Sequence, residues 1–147
     1  MTNLKDKSIV LLPDASTLMK MKEEMMKGKD VDLTSLMYKT GESAGNDLGC
    51  FIEEVKNREN KIKDIVEILN LTGYGKYVLK NMSKNSAVIR LTESPFTRFC
   101  LRKRFSCHWI SGLLSGLFNN VSSGWTFKNS KCRIKNCSYC EFRGEIK

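Results

Sequence analysis

Glycine recurs every fourth residue in two separate stretches of the chain, at Gly41, Gly45 and Gly49 and again at Gly112 and Gly116. At helical pitch such residues form one gently drifting stripe, and a stripe without side chains admits another backbone at very short range. Each glycine inside a helix costs about 1 kcal/mol relative to alanine, so a series of them implies packing that compensates. Glu42, Asn46 and Asp47 lie among the first three and exclude a membrane-spanning explanation. The two striped helices are expected to pack against each other or against a second copy of the chain.

Periodicity supplies the other elements. A short apolar run at 8–12 stops at Pro13, and a helix carrying Leu18, Met19, Met21, Met25 and Met26 follows, ending at Gly28. The first striped helix starts near Leu33 and is predicted to continue through Val55. Beyond a charged break at 56–61, Ile62, Ile65, Val66, Ile68 and Leu69 mark another helix. Tyr77–Leu79 and Ala87–Leu91 then read as a hairpin. Residues 95–104 form a loop or short helix. Ser106 is placed to cap a helix reaching Asn119, with Trp109, Ile110, Leu113, Leu114, Leu117 and Phe118 on a wide apolar face. Trp125 and Phe127 alternate with polar neighbours, a turn falls at 135–136, and 139–146 returns as the last strand. At 147 residues the chain is one domain, 1–147, of α+β class.

Four apolar residues before Pro13 are too few for a signal-peptide core, and no window reaches bilayer-spanning length. A cytoplasmic protein is expected, and cytoplasmic thiols stay reduced, so its six cysteines read as metal-binding or packing residues before disulfides. The net charge of +9 invites a nucleic-acid reading. Basic runs at Arg98–Arg104 and Lys128–Lys135 favour it, but no aromatic RNA-binding motif or helix-turn-helix pattern accompanies them, and a dedicated nucleic-acid role is not expected.

Cys132, Cys137 and Cys140 crowd into nine residues, the first and last on opposite arms of the final hairpin and Cys137 at its turn. Cys107 falls in the first turn of the second striped helix, where the helix dipole favours the thiolate that metals bind. Zinc suits this set first, since tetrahedral thiolate sites are its usual structural form; a redox pair at Cys137-Ser-Tyr-Cys140 and an iron–sulfur cluster are the alternatives. Cys50 and Cys100 read as small buried hydrophobes. His108, the only histidine, reads as a bystander beside the thiols. No Ser/His/Asp or Cys/His/Asn grouping and no paired carboxylates on one helical face are legible, so a binding module is expected over an enzyme.

The run Ser-Cys-His-Trp-Ile-Ser-Gly-Leu-Leu-Ser-Gly-Leu at 106–117, then Trp-Thr-Phe-Lys-Asn-Ser-Lys-Cys at 125–132 and Cys-Glu-Phe at 140–142, resembles the 4-vinyl reductase domain family. The stretches at 36–45 and 72–75 resemble its earlier landmarks, so the likeness extends over 30–147. It implies a twisted antiparallel sheet packed against helices, as in subunits of the vesicle-tethering transport particle and in aromatic-sensing domains of bacterial activators. It also implies pairing of two copies through helices and a pocket for a small apolar ligand, for which Trp109, Trp125 and Phe127 are candidate linings. In the sensing relatives three cysteines and the glutamate of a Glu-x-x-Cys motif hold zinc. The cysteines correspond to Cys107, Cys132 and Cys140, but the glutamate position is Asn129, a poor zinc ligand. Cys137 is the candidate replacement. The implied function is a zinc-stabilised domain that binds a small hydrophobic molecule as sensor or carrier and pairs as a homodimer. Alternatives are a tetrapyrrole 4-vinyl reductase or its accessory, and a nucleic-acid or protein scaffold.

Overall fold

The structure, a computed structural model, describes residues 33–52, 57–71, 75–92, 105–131 and 139–147. The apolar run at 8–12, the expected helix ending at Gly28, segment 95–104 and the turn at 135–136 lie outside them. Among the described residues the chain forms α1 (Leu33–Leu48), α2 (Arg58–Leu71), β1 (Lys76–Met82), β2 (Ser86–Thr92), α3 (Phe105–Phe118), β3 (Trp125–Lys131) and β4 (Cys140–Ile146). The strands make one antiparallel sheet in the order β1-β2-β4-β3. The last strand is therefore inserted between β2 and β3, and the class is α+β as expected. No described helix is long and apolar enough to cross a membrane.

Helix α3 is the hub of the core. Every residue from Trp109 to Phe118 is buried, because α1 covers one side of it and the sheet the other. The glycine stripes meet each other within the chain. A methyl group on Gly41 would overlap the carbonyl of Trp109 and come within 2.9 Å of Leu113 N, and one on Gly112 would overlap the carbonyl of Tyr38. Gly45 and Gly116 repeat the relation one turn later, against Leu113 and Glu42. Partners advance together along both helices, so α1 and α3 run parallel with their N-termini at one end. On the inner sheet face Phe127 lies directly opposite Gly144, and its ring occupies the space a side chain there would fill.

Three element ends differ from expectation. Helix α1 stops at Leu48 rather than continuing through Val55: Gly49–Phe51 tighten into a 3₁₀ turn, and Ile52 is extended at φ −87° and ψ 125°. The apolar run Cys50-Phe51-Ile52 hides this end in the sequence. The charged stretch before Ile62 starts a helix instead of breaking one, because Asn57 caps α2 by accepting the Asn60 N–H at 2.9 Å. Helix α3 starts at Phe105, which puts Ser106 inside its first turn instead of at the cap.

Both edge strands are capped by side chains of a neighbouring helix or the turn that follows it. The Asn70 amide accepts the Tyr77 N–H at 2.8 Å and donates to the Tyr77 carbonyl at 3.3 Å, mimicking a neighbouring strand. On β3, the Trp125 N–H bonds to Asn119 Oδ1 and the Phe127 N–H to Ser115 Oγ, each at 3.0 Å. Occupied donors cannot template another chain. Asn70→Ala is expected to lower stability by about 1–2 kcal/mol through the two lost bonds and to raise self-association. Urea denaturation and concentration-dependent light scattering check both effects.

Candidate functional site

Bonds to β3 from α3 and the residue just after it fix an antiparallel relation between helix and strand: Asn119 with Trp125, then Ser115 with Phe127. Continuing that relation brings the first turns of α3 to the end of β3. Helix α1 arrives at the same place because it runs parallel to α3. The three elements line a half-open cavity of about 460 Å³. Its walls are Thr34, Ser35 and Tyr38 of α1, Cys107, His108 and Ser111 of α3, and residues 126–129 of β3. Among the described residues the lining contains no carboxylate.

Ser115 ties the walls together from beneath. Its Oγ donates to the Ser111 carbonyl at 2.8 Å and accepts the Tyr38 hydroxyl at 2.6 Å and the Phe127 N–H at 3.0 Å. One proton and two lone pairs are all a hydroxyl has, so this fully buried serine is saturated. It joins α1, α3 and β3 through a single atom.

Asn129 stands where the irregular end of β3 meets β4. Its Nδ2 donates to the carbonyls of Lys131 at 2.7 Å and Glu141 at 3.1 Å, while its Oδ1 is buried without a hydrogen-bond partner. Only an amide can donate to both carbonyls; a carboxylate would face them with like partial charge. On the other sheet face Glu141 is a buried carboxylate with Lys131 Nζ at 3.7 Å, and Arg90 lies over the Tyr139 ring at 4.3 Å.

Cys107 and Cys140 are both buried. Cys107 begins α3 and Cys140 begins β4, and the antiparallel relation of α3 to β3 places these starts at the same end of the domain. Cys132 and Cys137 lie outside the described residues, and among the described residues no group of three His, Cys, Asp or Glu side chains converges. Cys50 is exposed, which corrects the expectation of a packing role: it follows the end of α1 and leaves the core. Phe127 lines the cavity. Trp109 and Trp125 are buried in the core instead, Trp125 against Phe118 at 5.2 Å and Phe127 at 5.8 Å between ring centroids. His108, read from sequence as a bystander, stands in the cavity wall. Tyr38, Ser111 and Ser115 gave no motif; the only sequence signal is the repeated Ser-Gly pair at 111–112 and 115–116 in an otherwise apolar helix.

No protein-family model matches the sequence, and no curated protein does. Solved structures are similar to it in three dimensions. The phenol-responsive sensory domain of the transcription activator PoxR, solved with phenol, has a TM-score of 0.75 at 13% identity, over 95% of this chain and 76% of that one. Trafficking protein particle complex subunit 3 from Naegleria fowleri, covalently bound to palmitic acid, has a TM-score of 0.70 at 17% identity, over 90% and 92%. A vinyl-4-reductase family protein from Methanocaldococcus jannaschii has a TM-score of 0.63 at 19% identity, over 97% and 86%. The chain shares their fold. Helices packed on one open antiparallel sheet are thus the architecture that the C-terminal motifs imply.

Proposed function

We propose that the chain is a small-molecule-binding domain whose ligand occupies the cavity between α1, α3 and β3. The cavity itself carries this reading: about 460 Å³ lies within the roughly 300–1,000 Å³ usual for ligand sites. Tyr38 offers apolar ring surface there, and a few polar atoms give orientation. Two similar structures were solved with small molecules, phenol in one and palmitic acid in the other, which is support from fold alone. The ligand acts in a sensing or carrying role, in the cytoplasm and in a paired assembly of two copies. In an NMR titration with a fragment library, shifts are expected at Tyr38, Ser111 and Phe127; shifts confined to other surfaces would overturn the proposal.

Zinc belongs to the same proposal, held by Cys107, Cys132, Cys137 and Cys140. Two buried sulfurs at one end of the domain fit half of such a site. The Asn129 amide, engaged with two carbonyls, supports a fourth thiolate over residue 129. A zinc held there supplies a fixed cross-link without redox chemistry. These residues would clamp the start of α3 to the final hairpin and so hold one wall of the cavity. One zinc per chain is expected by native mass spectrometry, which also counts subunits, and Cys137→Ser protein is expected to lose it. Undiminished zinc in that variant rules out the four-cysteine set.

A further inference from the structure

We propose that the outer face of the sheet binds single-stranded nucleic acid through Arg90, Lys128 and Arg143. Tyr77, Ile89, Phe127 and Phe142 belong to the core that the helices share, so alternation along the strands turns Val78, Arg90, Lys128 and Arg143 to the opposite face. Lys128 of β3, which also borders the cavity, is the direct cross-strand partner of Arg143 on β4, and both are exposed. Such partners stand about 4.5–5.5 Å apart at Cβ, where like charges oppose folding. Among the described residues neither has an ion-pair or hydrogen-bond partner to relieve the repulsion.

One row along, Arg90, Glu141 and Lys131 lie side by side on β2, β4 and β3. Glu141 is buried 3.7 Å from Lys131 Nζ, so its charge is balanced within the row. Arg90 holds its guanidinium over the Tyr139 ring at 4.3 Å. The remaining carboxylate described on this face, Glu145, lies opposite Thr126, on the far side of Arg143 from Lys131.

This pattern fits a phosphodiester strand. Two cations without a counter-ion receive a phosphate, and a guanidinium stacked on an aromatic ring offers a base a flat partner. No described helix lies on this face to enter a duplex groove, and Val78 is the one large apolar side chain exposed on it among the described residues, too little to seat in a membrane. The net charge of +9 favours encounter with any polyanion. No sequence motif announces the site because its cations come from three strands and only the sheet collects them.

Fluorescence anisotropy of a labelled oligothymidylate of about twelve nucleotides, titrated with the full chain, tests the proposal. Three phosphate contacts predict a salt slope of about −2, so affinity should fall about twentyfold between roughly 50 and 200 mM salt. Lys128→Thr/Arg143→Thr is expected to weaken binding about tenfold at the lower salt and to flatten the slope to about −1. The same variant should melt about 1–4 °C higher, because it removes a repulsive pair. Lys39→Gln/Lys63→Gln, which takes two exposed charges from the helices, is expected to change binding by less than about twofold. Equal weakening by the two double variants would trace binding to net charge and overturn the proposal, as would no binding of the oligonucleotide at the lower salt. Tighter binding of a duplex of the same length, or of phosphatidylserine vesicles, would overturn the choice of partner. The cavity reading stands or falls separately.

Discussion

Valine at Gly112 should cost the domain about 3 kcal/mol or more, lowering its melting temperature by about 10 °C. The first added carbon would land on the Tyr38 carbonyl and lie 2.8 Å from Glu42 N, and both are backbone atoms of a packed helix. They cannot rotate aside, so α1 must retreat as a body. That retreat opens the neighbouring contacts of Gly41 with Trp109 and Gly45 with Leu113 together. Gly49→Ala is the informative contrast. Its methyl group would first meet the Asn120 side-chain amide, which can swing away, so a change of about 1 kcal/mol or less is expected. Circular-dichroism melts of the two variants separate the cases. A Gly112→Val protein that melts like the parent would mean that the helices are not in backbone contact.

Removing the Ser115 hydroxyl should cost about 2–4 kcal/mol, much more than removing that of Ser111. Ser115→Ala deletes three bonds and leaves the buried Phe127 N–H and the Tyr38 hydroxyl without partners. Ser111→Ala loses one bond to the carbonyl four residues back in its own helix, which contributes little. Urea denaturation of both variants, with Tyr38→Phe and the Tyr38→Phe/Ser115→Ala pair to close a cycle, measures the difference. Positive coupling between residues 38 and 115 is expected, since each is the other's hydrogen-bond partner. Equal costs for the two serines would remove Ser115 from its place at the junction of three elements.

Much of this fold is legible before any coordinates. Alternation at Trp125 and Phe127, the apolar face of α3 and the repeated glycine spacing each report a local rule that the chain obeys. Spacing alone cannot say what a glycine stripe faces, because the close approach is a property of two backbones and only one of them is in the motif. Strand order is hidden for a similar reason: nothing in the residues of β4 states that it lies between β2 and β3. At the site, Trp109 and Trp125 draw attention as large aromatics, yet their size suits them to filling the core. The polar residues that shape the cavity are short and ordinary in type. Asn129 is visible only as a missing carboxylate, and its use as a donor to two carbonyls depends on the irregular pairing of Asn129 and Lys131 with β4.

The parallel seam also has a consequence in time. Tyr38 and Ser115 are separated by 77 positions in the chain. At synthesis rates of roughly 5–20 residues per second, a nascent α1 must wait on the order of 4–15 s for α3 to be made. During that interval its bare glycine face has no partner to lean on. A ribosome-attached fragment ending after β2 should therefore be readily digested by protease at α1, and the resistance of that helix should rise abruptly once residue 118 has cleared the exit tunnel.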